Sequence, residues 1–112
     1  PTAWDVYAMA NVQAPTGDPE YWFTVFATSD ATRNQGKYSS EKLDELEKEL
    51  SAEFDTEKRA ELAVQMQRTV LDDHAFVFCS FLKMSMISKA NVTGYESHAC
   101  DYYQVTADLD IN

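Results

Sequence analysis

The sequence predicts an α/β fold in which helices cover a small sheet. β-rich apolar segments at Trp4–Val12 and Ala75–Ser88 enclose three stretches of helical periodicity, each preceded by capping residues. The resulting order of strand, helix, helix, helix, strand is that of helices laid on a sheet. The apolar density of Phe76–Leu82 also calls for cover on both faces, more than two or three strands with these helices supply.

Trp4–Val12 mixes aromatic and small apolar residues with partial alternation, as a largely buried strand does. Gln13–Gly17 is turn-prone, and Asp18–Pro19 reads as a side-chain cap followed by proline at a first helical position. The short helix from Pro19 to about Phe26 should bury Trp22, Val25 and Phe26. A polar loop, Thr28–Lys37, leads to Ser39 or Ser40 as the cap of a second helix whose inner stripe is Leu43, Leu46 and Leu50. Asp55 or Thr56 starts a longer helix to about Asp72, with Leu62, Ala63, Met66 and Val70 on one face. The short link near Ala52–Phe54 makes these two helices an antiparallel pair. Ala75–Ser88 is the best strand, Asn91–Gly94 a turn, and Tyr102–Thr106 a last short strand.

Composition narrows the function classes. A chain of 112 residues, 45% hydrophobic and 25% charged, suits one domain with a packed core. Its net charge of −10 argues against nucleic acid, because phosphate binding needs a basic surface. The longest apolar stretch, Ala75–Leu82, is far short of the roughly 20 residues that span a bilayer. Pro1 is not a native start, and the immediate run into a strand reads as a chain excised from something longer, with any export signal upstream. Two cysteines, Cys79 and Cys100, permit one disulfide without defining a framework.

Few residues suggest chemistry. The acidic segment Glu41–Glu61 reads as a solvated helix face, with Asp44–Lys48 and Asp55–Arg59 at i,i+4 spacing. His98–Ala99–Cys100–Asp101 and Asp72–Asp73–His74 gather ligand-type residues without the spacing of a structural zinc motif, so no metal or cofactor is expected. His74 suits a helix C-terminus. Cys79 and His74 could be paired as a nucleophile and base on paper, but a thiol inside an apolar strand should be inert, and no enzyme is predicted. Residues Asn11, Gln13, Ala14, Thr16 and Gly17 differ in kind: they leave the end of a strand and enter a capped helix, where open α/β sheets place ligands.

Several motifs stand in a characteristic order: Trp4–Asp5–Val6 leading a strand, Thr16–Gly17–Asp18–Pro19 at the next helix, and Asn34 before Lys37–Tyr38–Ser39–Ser40. Leu43–Asp44–Glu45–Leu46, then Asp55 with Lys58–Arg59–Ala60, and Val70–Leu71–Asp72–Asp73–His74 before the apolar strand complete the series. In this order, from Trp4 to about Tyr95, the chain resembles the C-terminal part of the extracellular solute-binding proteins of peptide and nickel ABC importers.

The resemblance implies part of a two-lobed, type II periplasmic-binding-protein-like fold. Residues 1–93 would belong to the C-terminal lobe, and 94–112 would form a tail crossing back toward the other. It implies a peptide or small-molecule ligand, a membrane ABC permease and the remainder of the same polypeptide as partners, and a periplasmic or cell-surface location with a possible upstream lipid anchor. The segment matching Asn11–Gly17 borders the ligand cleft in such proteins. Nickel binders carry aromatic residues in that loop and a histidine soon after it, where this chain has Gln13, Gly17 and no histidine before His74. Dipeptide binders have an aspartate about where Pro15 falls, so an oligopeptide or another small polar solute is the expected ligand. The competing expectation is a free-standing acidic protein–protein interaction domain that docks through the helical pair.

Overall fold

The computed structural model describes residues 5–12, 15–83, 85–98 and 105–111. Their regular structure is mostly helical: three helices and one small two-stranded antiparallel sheet. The first helix, α1 (Glu20–Trp22), runs directly into a π-helical turn, Phe23–Ala27. Asp18 starts it as expected, its carboxylate accepting the Glu20 N–H at 2.9 Å. The Thr24 hydroxyl bonds back to the carbonyls of Glu20 and Tyr21, a pattern that bends helices, and Thr28 N–H reaches the Phe23 carbonyl at 3.0 Å to close the wide turn. Widening turns Phe23 inward with Trp22, Phe26 and Ala27 and leaves Val25 half-buried, a shift that uniform helical spacing does not foresee.

Helix α2 (Glu41–Ala52) and helix α3 (Thr56–Asp72) pack together as the leucine stripe requires. Leu43, Leu46 and Leu50 meet Ala63, Met66 and Val70 in one core with the α1 aromatics. Asp55 caps α3, accepting the N–H groups of Glu57 and Lys58, both at 3.0 Å. Ser40 occupies the N-cap position of α2, but no side-chain bond to the helix accompanies it, and the Ser39 hydroxyl pairs instead with that of Ser29. At the far end of α3, His74 takes a left-handed backbone (φ 54°) and donates its N–H to the Leu71 carbonyl, placing it at the helix C-terminus.

The expected surface pairs are replaced by longer-range ones. Arg59 does not reach back to Asp55; its guanidinium bonds Asp18 at 2.8 and 2.9 Å and Glu20 at 2.9 Å, while also donating to the Leu50 and Glu53 carbonyls. One side chain thereby ties the start of α1 to the end of α2 and the start of α3. Asp44 accepts from the Ser29 N–H rather than pairing with Lys48. The loop after α1 is held by Asn34, whose amide donates to the Thr28 and Tyr38 carbonyls and accepts from the Tyr38 N–H. Tyr38 in turn donates to Asp73 at 2.5 Å; burial, then this bond, hold its phenol above the ordinary value.

The sheet is not the expected one. Strand β1 (Val92–Thr93) pairs with β2 (Asp110–Ile111), Val92 opposite Ile111, within a region read as turn and tail. Gly94 (φ 75°) lies so close to Asp108 that an added Cβ would collide with its carbonyl. By contrast 5–12, 75–83 and 85–88 are extended but form no ladder among the described residues, because a strand needs a neighbour to satisfy its backbone. Apart from Ala75 and the partly buried Phe76 their side chains are exposed: Val6, Val77, Phe81 and Ile87 are each at least 85% exposed, and Cys79 is exposed rather than enclosed. Of the proposed last strand, 102–104 lie outside the described residues, and 105–106 are not strand.

Candidate functional site

The segment 5–12 crosses the chain beside α1 and the loop that follows it, leaving a groove of about 360 Å³. It is lined by Tyr7, Met9 and Val12 of that segment and by Tyr21 and Phe26, and its polar lining residues are Asn11, Gln35 and Arg33, the last of which carries a guanidinium. Local structure fixes that guanidinium's base. Arg33 N–H donates to the Val25 carbonyl at 2.9 Å and the Arg33 carbonyl accepts from Gln35 N–H at 2.9 Å, next to the Asn34 staple. The side chain itself is exposed and makes no ion pair among the described residues, unlike Arg59 and Lys58.

A second groove of about 280 Å³ lies beside Trp22, between α1, α3 and the segment after α3. Phe78 and Phe81 face Phe23, Val70 and Leu71 across it. Phe76 and Phe78 reach the Trp22 ring with centroid distances of 5.1 and 5.5 Å, and Tyr38 stands 6.1 Å from Phe76. The intervening Val77 points away and is 86% exposed. Alternation of this kind holds for 76–78; from 79 to 83 and from 85 to 88 the residues are exposed on both faces. Of the residues lining the two grooves, Arg33 alone is charged.

The loop expected to border a ligand divides. Asn11 lines the first groove. Thr16 and Gly17 are exposed outside it; Gly17 is left-handed (φ 84°) with open space around the position of a Cβ, so the turn conformation is what calls for glycine there. Gln13 and Ala14 lie outside the described residues. Arg33, Gln35, Tyr7 and Tyr21 were not legible as site residues, because they converge only through a loop whose path depends on the π turn. The polar composition of Thr28–Lys37 was the available signal, and it does not distinguish a solvated loop from a lining one.

Elsewhere the ligand-type residues stay apart. Among the described residues no group of three or more His, Cys, Asp or Glu converges as metal ligands. The His74 ring bonds the Asp72 carbonyl at 2.6 Å and the Cys79 thiol leans on the Val77 carbonyl, so they do not form the nucleophile–base hydrogen bond considered for them. Residues 99–101 of the second cluster lie outside the described residues. No described helix is long and apolar enough to cross a membrane. Comparison with known proteins finds no matching family model, no matching curated protein and no matching solved structure.

Proposed function

We propose that the chain is part of the C-terminal lobe of a two-lobed extracytoplasmic solute-binding protein, which captures peptides or a related small polar solute and passes it to an ABC permease. On this reading the chain binds and releases its ligand without chemical turnover. The ordered motifs from Trp4 to Tyr95 support the family. The observation that carries the reading is the contrast between a packed helical layer and the apolar extended segments beside it. Phe76 and Phe78 rest on Trp22 while Val77, Leu82 and Ile87 stay at least 73% exposed. Apolar exposure on both sides beyond Phe78 fits a segment whose cover and sheet neighbours lie elsewhere in the polypeptide. The overall dimensions agree: a radius of gyration of 17.8 Å exceeds the roughly 13 Å of a compact chain this long.

The ligand would meet this lobe at the end of segment 5–12, where Asn11 borders the first groove. Closure of a second lobe over it would supply the opposite wall and exclude water, the usual way two-lobed binders gain affinity. Immunoblotting of fractionated source cells with an antibody against this chain tests the reading. A band several times larger than 12.7 kDa in the envelope or secreted fraction is expected. A 12.7 kDa cytosolic band would overturn it and favour a small acidic interaction domain.

A further inference from the structure

We propose that residues 76–82 form a pairing edge for a second copy of this chain, the two segments meeting antiparallel about a two-fold axis at Cys79. On the solute-binding reading a longer polypeptide offers this edge a strand of its own; in the 112-residue chain a second copy takes that place, whether or not that reading holds. Phe76 and Phe78 fasten the segment to Trp22, while Val77, Phe81 and Leu82 stand out in solvent. Among the described residues its backbone joins no ladder. An unpaired run with such side chains is a template for strand addition.

The segment's own composition points to a copy of itself as the occupant. Phe76–Leu82 carries no charge, proline or glycine, so nothing in it repels a like segment or interrupts a ladder. Its apolar residues are also placed evenly about Cys79. Antiparallel pairing centred there sets Val77 opposite Phe81 of the second copy and Phe76 opposite Leu82 of the second copy, and the two-fold axis makes each contact twice. Aromatic residues opposite branched aliphatic ones are favourable cross-strand neighbours. Segment 5–12 does not offer this: centred on Met9, it would oppose Ala8 to alanine and Tyr7 to asparagine, and Tyr7 and Met9 are already more than half covered. Area is not limiting. The chain's surface of 8904 Å² exceeds that of a folded 12.7 kDa monomer by about 2,700 Å², where a stable interface needs about 800 Å² from each partner. The net charge of −10 on each copy opposes association, but none of it lies within 76–82, so the repulsion acts at a distance and salt screens it.

Sedimentation equilibrium of the full 112-residue chain tests the pairing. An interface of this kind suits a Kd on the order of 10 μM, so at ~100 μM the mass should be twice 12.7 kDa, and the dimer should tighten as salt is raised. A monomer at that concentration, a dimer weakened by salt, or open-ended assembly beyond the dimer would overturn the proposal. Val77→Lys changes a side chain that touches solvent, so helical circular dichroism should be unchanged while the Kd rises roughly a hundredfold, the loss being felt twice across the axis. Ile87→Lys, equally exposed but outside the segment, should move the Kd less than about twofold. Equal weakening by both would mean non-specific apolar association and overturn the assignment to 76–82.

The register is read by disulfide capture in a glutathione buffer, where two Cys79 thiols reduce one oxidised glutathione to two reduced molecules and become one disulfide. A disulfide joins Cα atoms about 4.4–6.8 Å apart, and opposite residues of an antiparallel pair stand about 4.5–5.5 Å apart. With Cys100→Ser, a covalent dimer should form through Cys79. When both cysteines are changed to serine and Val77→Cys is added, it should not form, because the two copies of residue 77 would lie roughly 13 Å apart. Mixing that variant with one carrying Phe81→Cys in the same serine background should restore it. Failure of Cys79 to cross-link would overturn the axis, and covalent dimers of the Val77→Cys variant alone would show parallel pairing and overturn the register.

Discussion

The helical unit from Pro19 to His74 and the extended segments beside it contain similar apolar residues and treat them in opposite ways. In the helical unit Phe26, Leu43, Leu50, Met66 and Val70 are less than 2% exposed, and helix ends are tied by Asp18, Asp55 and His74. In the flanks Val6, Val77, Phe81 and Ile87 face solvent. The total surface of 8904 Å² is well above the roughly 6,200 Å² of a folded monomer of 12.7 kDa. The difference follows from how each element satisfies its backbone. A helix bonds to itself and needs only one apolar face covered, whereas a strand needs partners at its edges as well as cover.

The largest effect that could break this comparison is a core truncation set against a flank truncation. Leu50→Ala should cost about 2–5 kcal/mol, most of what a core this small provides, and be seen in urea unfolding followed by helical circular dichroism. Ile87→Ala, by the same measurement, should stay within about 0.5 kcal/mol. Equal costs would mean that the flank packs as tightly as the core and that its exposure is not a property of the isolated chain.

Arg59 sharpens the same contrast at intermediate size. Its partners come from α1, α2 and the link to α3, so it is a bolt between elements of the helical unit. Arg59→Met keeps much of the stem but leaves Asp18 and Glu20 side by side without their cation, and should lower Tm by about 5–10 °C. Arg59→Lys should recover only part, since an ammonium cannot span the same set of acceptors. A Tm unchanged in both variants would show the network to be ornamental.

How much of this was legible in the sequence follows the same division. The three helices, the Asp18 and Asp55 caps, the leucine stripe and the inward face of α3 were readable because they depend on spacing within a dozen residues. The Arg59 network was not: Asp55 offered a local partner at i−4, and only the packed helices bring Asp18 within 2.8 Å. Phe23 was missed because the π turn resets the helical phase. For 5–12 and 75–88 the sequence carried the strand preference, while the partners that would make a ladder are not among the described residues. The β1–β2 pair was missed because strands two residues long leave no periodic signal. At the candidate site Asn11 was readable from its place at the end of an apolar segment, and Arg33 was not, since nothing in a polar loop marks which residue will face a groove.

The smallest expected effect concerns acid. Glu53, in the link between α2 and α3, accepts the N–H groups of Phe54 and Asp55, both at 2.9 Å, with the Lys58 ammonium at 3.9 Å. The Asp55 N–H chiefly, then the Phe54 N–H and Lys58, hold its carboxyl below the ordinary value. A depressed folded pKa stabilises the fold above the unfolded value near 4.5 and loses that contribution as pH falls through the folded pKa. Glu53→Gln should therefore lower the urea midpoint slightly at pH 7, and the gap from the parent should close as the solution is acidified past the Glu53 midpoint. A carboxyl NMR titration locates that midpoint, expected below 4.5. Segment 75–88 contains no Asp or Glu, so its side-chain resonances should not follow this titration. If they shift together with Glu53, the flank is coupled to the helical unit more closely than its exposed residues imply. If Glu53 titrates at or above 4.5, the link is not the fixed acceptor that its two short bonds describe.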